Sequence, residues 1–126
     1  MIEISFDKKR NTIVIEFSGK IDAVQGEEYL PKIPAVIPGH GKGFNLLVDA
    51  SKVESIDPKL KDAVTQAMDI FNAHGVKKVV RVIPDPHQDI GFNILSVFHY
   101  SKDVKIVTVE SRDEAEAQLE KHNVLK

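Results

Sequence analysis

The sequence predicts an α/β domain with a mainly parallel sheet and one antiparallel hairpin strand, in the order β-β-α-β-α-β-α-β-α. Three observations predict it. The N-terminal residues alternate apolar and polar with a period of two around a short polar turn, as a hairpin does. Leu46-Leu47-Val48 and Val79-Val80-Arg81-Val82-Ile83 are almost continuously apolar, as strands covered on both faces are. Around these runs apolar residues recur at helical spacing, and strands alternating with helices build a parallel sheet.

Each element follows in turn. Ile2, Ile4 and Phe6 alternate with Glu3, Ser5 and Asp7, and Asp7-Lys8-Lys9-Arg10-Asn11 is turn-like. Ile13, Ile15 and Phe17 then alternate with Val14, Glu16 and Ser18, and Gly19 is expected to end the strand. Asp22 and Gln25 have capping-box spacing, while Gly26, Pro31 and Pro34 keep any helix over 22–33 short. Pro38 to Gly43 reads as a connection, and Phe44 to Asp49 as a strand. Ser51 and Ser55 fall in the loop before Asp57-Pro58, which opens a helix with Asp at the N-cap and Pro at the first helical position. Leu60, Val64, Ala67, Phe71 and His74 keep helical spacing, with Ala63 and Ile70 widening the stripe and His74 expected to border the core. Gly75 stops that helix. Val79 to Ile83 is the next strand, ended by Pro84-Asp85-Pro86. Ile90, Ile94, Val97 and Phe98 predict a helix from Asp89 to about Tyr100, and Val104 to Val109 a last strand. Ser111 and Glu114 form a capping box for a final helix that turns Ala115 and Leu119 inward.

Composition bounds the function. With 126 residues the chain is expected to form one domain, 1–126, and 42% hydrophobic residues can fill its core. A net charge of −2 argues against a nucleic-acid binder that works by counterion release. With no cysteine there is no disulfide, thiolate zinc site or cysteine nucleophile. No apolar run approaches a bilayer span, and the alternating N-terminus is unlike a signal peptide, so no membrane insertion and a cytoplasmic location are expected.

In an open α/β sheet, ligands sit at the carboxyl ends of the parallel strands. That edge should gather Asp49, Ser51, Asp57, Asp85, His87 and Asp89, a set able to bind a divalent cation or do acid–base work. The simpler reading makes Asp57 and Asp89 helix caps, Asp85 a turn residue and His87 a loop residue, and it is preferred. The five histidines show no zinc spacing, so neither metal nor cofactor is expected. Gly39-His40-Gly41-Lys42-Gly43 precedes a strand rather than following one, and Lys42 is followed by Gly, so it is not a phosphate loop. Arg81 stands inside an apolar strand, either ion-paired on an edge strand or presented on an exposed face to an anionic ligand. Phe92, Phe98 and Tyr100 exceed what one helix face can bury and suit a dimer interface or an apolar ligand pocket.

The stretch Leu46-Leu47-Val48-Asp49-Ala50-Ser51-Lys52-Val53-Glu54-Ser55-Ile56-Asp57, its following helix, and the strand Val79-Val80-Arg81-Val82 resemble a STAS domain. Ser111-Arg112-Asp113-Glu114-Ala115 with Leu119 is similar to the closing helix of SpoIIAA-like proteins. The resemblance implies a STAS-like fold and a regulatory module that works through a protein partner. In anti-sigma factor antagonists of this kind, a strand ending in Asp leads to Asp-Ser-Ser-Gly at a helix start, and the second Ser accepts phosphate. Here Asp57 matches the Asp, Pro58 and Lys59 replace the serines, and Leu60 replaces the Gly. Lys59 has no hydroxyl, so the resemblance implies a module without that switch. It also implies a docking face around Asp49, Ser51, Ser55, Asp57 and Lys59.

The expectation is therefore a non-enzymatic protein-interaction module, with a protein partner and a homodimer both in view. The alternative is a carrier or sensor of a small apolar or anionic ligand held near Arg81, Asp85, His87 and Phe92, since STAS domains resemble lipid-binding SEC14-type domains. An enzyme using Asp57, Asp85 and His87 ranks third.

Overall fold

A computed structural model describes residues 1–39, 41, 43–83 and 103–124. A five-stranded sheet runs in the order β1-β2-β3-β4-β5, so spatial order follows chain order. Its strands are β1 (Ile2–Asp7), β2 (Thr12–Ile21), β3 (Phe44–Ile56), β4 (Val76–Val82) and β5 (Lys105–Val109). β1 pairs antiparallel with β2, from Ile2↔Phe17 to Asp7↔Thr12. The remaining neighbours are parallel. The expected hairpin and parallel sheet are both present, while the helix expected over 89–100 lies outside the described residues.

Side-chain alternation assigns the two faces. Ile13, Ile15, Leu46 and Val79 turn to one side, where α2 (Ile33–Val36) contributes Ile33, α3 (Lys61–Ala73) contributes Ala63, Met68 and Phe71, and α1 (Ala23–Tyr29) packs the half-buried Tyr29 against them. Phe44 and Phe71 meet edge-to-face with centroids 6.2 Å apart. Val14, Leu47, Val80, Val82 and Val109 turn to the other side and are covered by Ala115 and Leu119 of α4 (Arg112–Val124). The continuous apolar runs in β3 and β4 thus serve two cores at once. The inward placement of Ala115 and Leu119 is as expected, and Ser111 Oγ accepts from the Glu114 N–H at 3.2 Å.

Three local expectations need correction. Gly19 does not end β2, which continues to Ile21; Gly19 lies instead where the pairing with β3 shifts register. β3 does not stop at Asp49 but runs to Ile56, so Ser51 and Ser55 stand on a strand rather than in a loop. Between Glu16 and Ser18, and again between Gly19 and Lys20, β3 takes one extra residue relative to β2, and these two bulges carry the polar sequence along the ladder. The helices over this stretch are short, as expected: Ala23–Tyr29 is followed by two brief turns, each with its proline, Pro31 or Pro34, at a first or second position, where the missing N–H costs nothing. His74 is exposed and caps α3, with Gly75 at φ +93 in the left-handed region that a helix stop requires.

Candidate functional site

Of the residues expected to gather at one edge, Asp49, Ser51 and Asp57 lie in a strip along β3 and the turn after it, while Asp85, His87 and Asp89 lie outside the described residues. At about 3.3 Å per residue, Asp49 and Ser55 are on the order of 20 Å apart along β3. Ser51, Ser55 and Lys59 are exposed, while Asp49 is 7% exposed. β4 makes its last pairing to β3 at Asp49↔Val82, so Ala50–Ile56 continues past the end of β4 with only β2 beside it among the described residues.

Asp49 anchors the inner end of the strip. Its Oδ1 accepts the Ser51 hydroxyl at 2.6 Å and the Ser51 backbone N–H at 2.9 Å. Its Oδ2 accepts Arg112 Nη1 at 3.0 Å. Burial pushes this carboxyl up, but the Ser51 hydroxyl, the Ser51 N–H and Arg112 together outweigh it and hold the group below the ordinary carboxylate value. A carboxylate held this low is a poor proton acceptor at neutral pH. Beside it, Glu3, Glu16, Ser18, Asp49 and Lys52 line a polar cleft of about 220 Å³. Among the described residues no group of His, Cys, Asp and Glu has the arrangement of a metal site.

Asp57 occupies the outer end as the sequence predicts. Its Oδ1 accepts the Lys59 N–H at 2.9 Å, and its carbonyl accepts the Leu60 N–H at 2.9 Å. The turn it caps is a 3-10 turn, Pro58–Leu60, that leads into α3. The carboxylate is thereby committed to the backbone, and Lys59 extends into solvent at the start of the helical region.

Arg81 is neither on an edge strand nor exposed. It lies on β4 between β3 and β5, 5% exposed, and pairs in register with Val48 and Thr108. By alternation it faces the α1–α3 side, whereas Asp49 faces α4, so the sheet separates the two. Arg81 Nη2 donates to Thr108 Oγ1 at 2.6 Å. The other expected ligand residues, Asp85, His87 and Phe92, lie outside the described residues.

The sequence reading missed two arginines. Arg112 reaches Asp49 at 3.0 Å, Glu16 at 3.4 Å and Glu116 at 3.9 Å. Arg10, in the hairpin turn, reaches Glu120 at 2.7 Å, Asp7 at 3.2 Å and Glu116 at 3.6 Å. These carboxylates raise the Arg10 pKa further, Glu120 most. A signal for Arg112 was available: a basic residue in the first turn of a helix opposes the dipole and implies a fixed partner elsewhere.

A hairpin leading into a parallel sheet, helices on both faces, and a helix opening at Asp57 after a long central strand define a SpoIIAA-like fold of the STAS type. Solved structures agree. An uncharacterised DUF3478-family protein with a SpoIIAA-like fold from Shewanella loihica PV-4 superposes with a TM-score of 0.69 at 14% identity, over 94% of this chain and 92% of that one. The phosphorylated form of SpoIIAA, a Bacillus cell fate determinant, gives 0.65 at 18% identity, over 94% and 99%. An anti-sigma factor antagonist from Mycobacterium paratuberculosis gives 0.60 at 17% identity, over 95% and 93%. At these identities the likeness establishes the fold. No family model matches the sequence, and no curated protein matches it.

Proposed function

We infer that this chain is a non-enzymatic regulatory module that docks a protein partner along the outer half of β3 and the start of the α3 segment. Ser51, Ser55 and Lys59 form the contact strip, with Asp49 and Asp57 fixing its two ends. The single observation that carries this reading is the overhang: Ala50–Ile56 runs past the end of β4 and presents exposed polar side chains where a partner can reach them. The SpoIIAA-like solved structures include anti-sigma factor antagonists, which supports a regulatory role on this fold.

The module lacks the phosphorylation switch. The position equivalent to the phosphate-accepting serine is Lys59, which has no hydroxyl and places a positive charge where a phosphate would place a negative one. Asp49 and Asp57 are engaged by Ser51, Arg112 and the Lys59 N–H, which fits a structural use of both carboxylates.

Affinity capture with the full chain and with a Ser55→Arg/Lys59→Glu double variant tests the reading. A protein retained by the wild type and lost by a folded double variant is the expected result. Capture of no specific protein, or capture unchanged in the double variant, would overturn it.

A further inference from the structure

Among the described residues β1 and β5 stand at the two ends of the sheet, and β1 is the less guarded. An edge strand leaves a row of N–H and C=O groups unpaired, and proteins commonly blunt it with proline, lysine or a bulge. β1 contains neither proline nor lysine, and its pairing with β2 runs from Ile2↔Phe17 to Asp7↔Thr12 without a register shift. β5 is shorter and opens on the exposed Lys105.

The ladder fixes which groups of β1 point outward. The Met1 amino group donates to the Ser18 carbonyl, and the Ser18 N–H donates back to the Met1 carbonyl at 2.9 Å. In an antiparallel pair, residues that exchange bonds in this way alternate with residues that make none across the pair. Glu3, Ser5 and Asp7 therefore bond inward to β2, and the N–H and C=O groups of Ile2, Ile4 and Phe6 aim away from the sheet. The side chains of Ile2, Ile4 and Phe6 pack into the α1–α3 core, while Glu3 and Ser5 are exposed on the opposite face.

We propose that β1 pairs antiparallel with β1 of a second copy of this chain, about a two-fold axis at Ile4, so that the two sheets continue as one. The charges choose the register. Centred on Ile4, the pairing sets Ile2 against the second copy's Phe6 and Glu3 against its Ser5, and no like charges are opposed. Slid by one pleat repeat, it sets Glu3 against Glu3 in one direction and Glu3 against Asp7 in the other, and both arrangements are repelled. The centred register closes about six interchain hydrogen bonds through the outward groups of Ile2, Ile4 and Phe6. The contact is separated from the β3 strip by β2 and does not depend on it.

Sedimentation velocity on the full chain between about 10 µM and about 1 mM reads the dimer, which is a weak one because the contact is shorter than a standard interface. Ser5→Lys puts an ammonium opposite Glu3 at both symmetric positions and should tighten dimerisation about three- to tenfold. Ser5→Glu opposes carboxylates at the same positions and should weaken it by a similar factor. Glu3→Lys/Ser5→Glu makes the opposed charges attractive again and should restore the tight dimer. Both positions are exposed, so the fold of each copy is kept. In the wild type, amide exchange at Ile4 should slow as concentration rises, because that N–H is bonded only when the second copy is present. A chain that stays monomeric at the top of the range overturns the proposal, as does Ile4 exchange independent of concentration. A dimer equally strong in Ser5→Lys and Ser5→Glu overturns it too, since its contact lies elsewhere.

Discussion

On one face of the sheet, α1–α3 meet a broad apolar surface, and Phe44, Leu46, Leu60, Phe71 and Val79 are all essentially sealed from water. On the other, the described side chains of α4 contribute only Ala115 and Leu119 to the apolar contact. The rest of its attachment is polar: Arg112 to Asp49 and Glu16, Arg10 to Glu116 and Glu120, and Lys78 Nζ to the Gln118 carbonyl at 3.0 Å. Apolar burial is insensitive to salt and pH, whereas half-exposed ion pairs are weakened by both. Among the described residues, the sheet thus carries one layer held by apolar burial and one whose attachment leans on ion pairs.

Substitutions on the two faces should separate these contributions. Phe71→Ala opens a void in the thick layer and should cost about 3–5 kcal/mol in urea unfolding. Leu119→Ala removes one of the two apolar anchors among the described side chains of α4 and should cost about 2–4 kcal/mol. If its cost instead fell below that of Asp49→Asn, charges rather than burial would hold α4. Gly26→Ala probes the fit between α1 and α3, because a Cβ there would stand 2.5 Å from Leu60 Cδ1 and 2.9 Å from Ala63 Cβ. The overlap should cost about 1–2 kcal/mol despite the better helix propensity of alanine.

Asp49→Asn weakens the hydrogen bonds from Ser51 and Arg112 and should cost about 1.5 kcal/mol at pH 7. Its pH dependence has a definite sign. The folded carboxyl titrates below its ordinary value of 3.8. Its contribution is therefore full above that value and is lost as pH falls through the lower folded value. The stability gap between wild type and Asp49→Asn should persist from neutral pH to about pH 4 and close only below it. Arg10→Gln has the smallest expected effect, about 0.5 kcal/mol at low salt and less at high salt, because its ion pairs are solvated. Hydrogen exchange along α4 at two ionic strengths measures this directly; exchange unchanged by salt would show that the polar attachments contribute nothing.

Much of the fold was legible because local chemistry and global arrangement agree. The alternation of Ile2, Ile4 and Phe6 marks a half-covered edge strand, and β1 is one. Asp57-Pro58 and Ser111 through Glu114 mark helix starts, and both caps form. The length of β3 was not legible. Ala50-Ser51-Lys52-Val53-Glu54-Ser55 has neither period two nor an apolar run, and it is strand because β2 lies beside it and two bulges absorb the mismatch. The candidate site suffered the same way. Asp49 and Arg81 belong to adjacent strands in sequence order, but alternation sends them to opposite faces.

Taken alone, the sequence determined the elements whose signals are local: hairpin period, buried strands, caps and stops. It also determined that Lys59 offers no hydroxyl. Only the tertiary structure decided which carboxylate meets which arginine, because Arg112 reaches Asp49 across 63 positions of chain and Arg10 reaches Glu120 across 110. Sequence spacing carries no information about contacts at such separations. They are set by the register of the sheet and the way α4 lies across it.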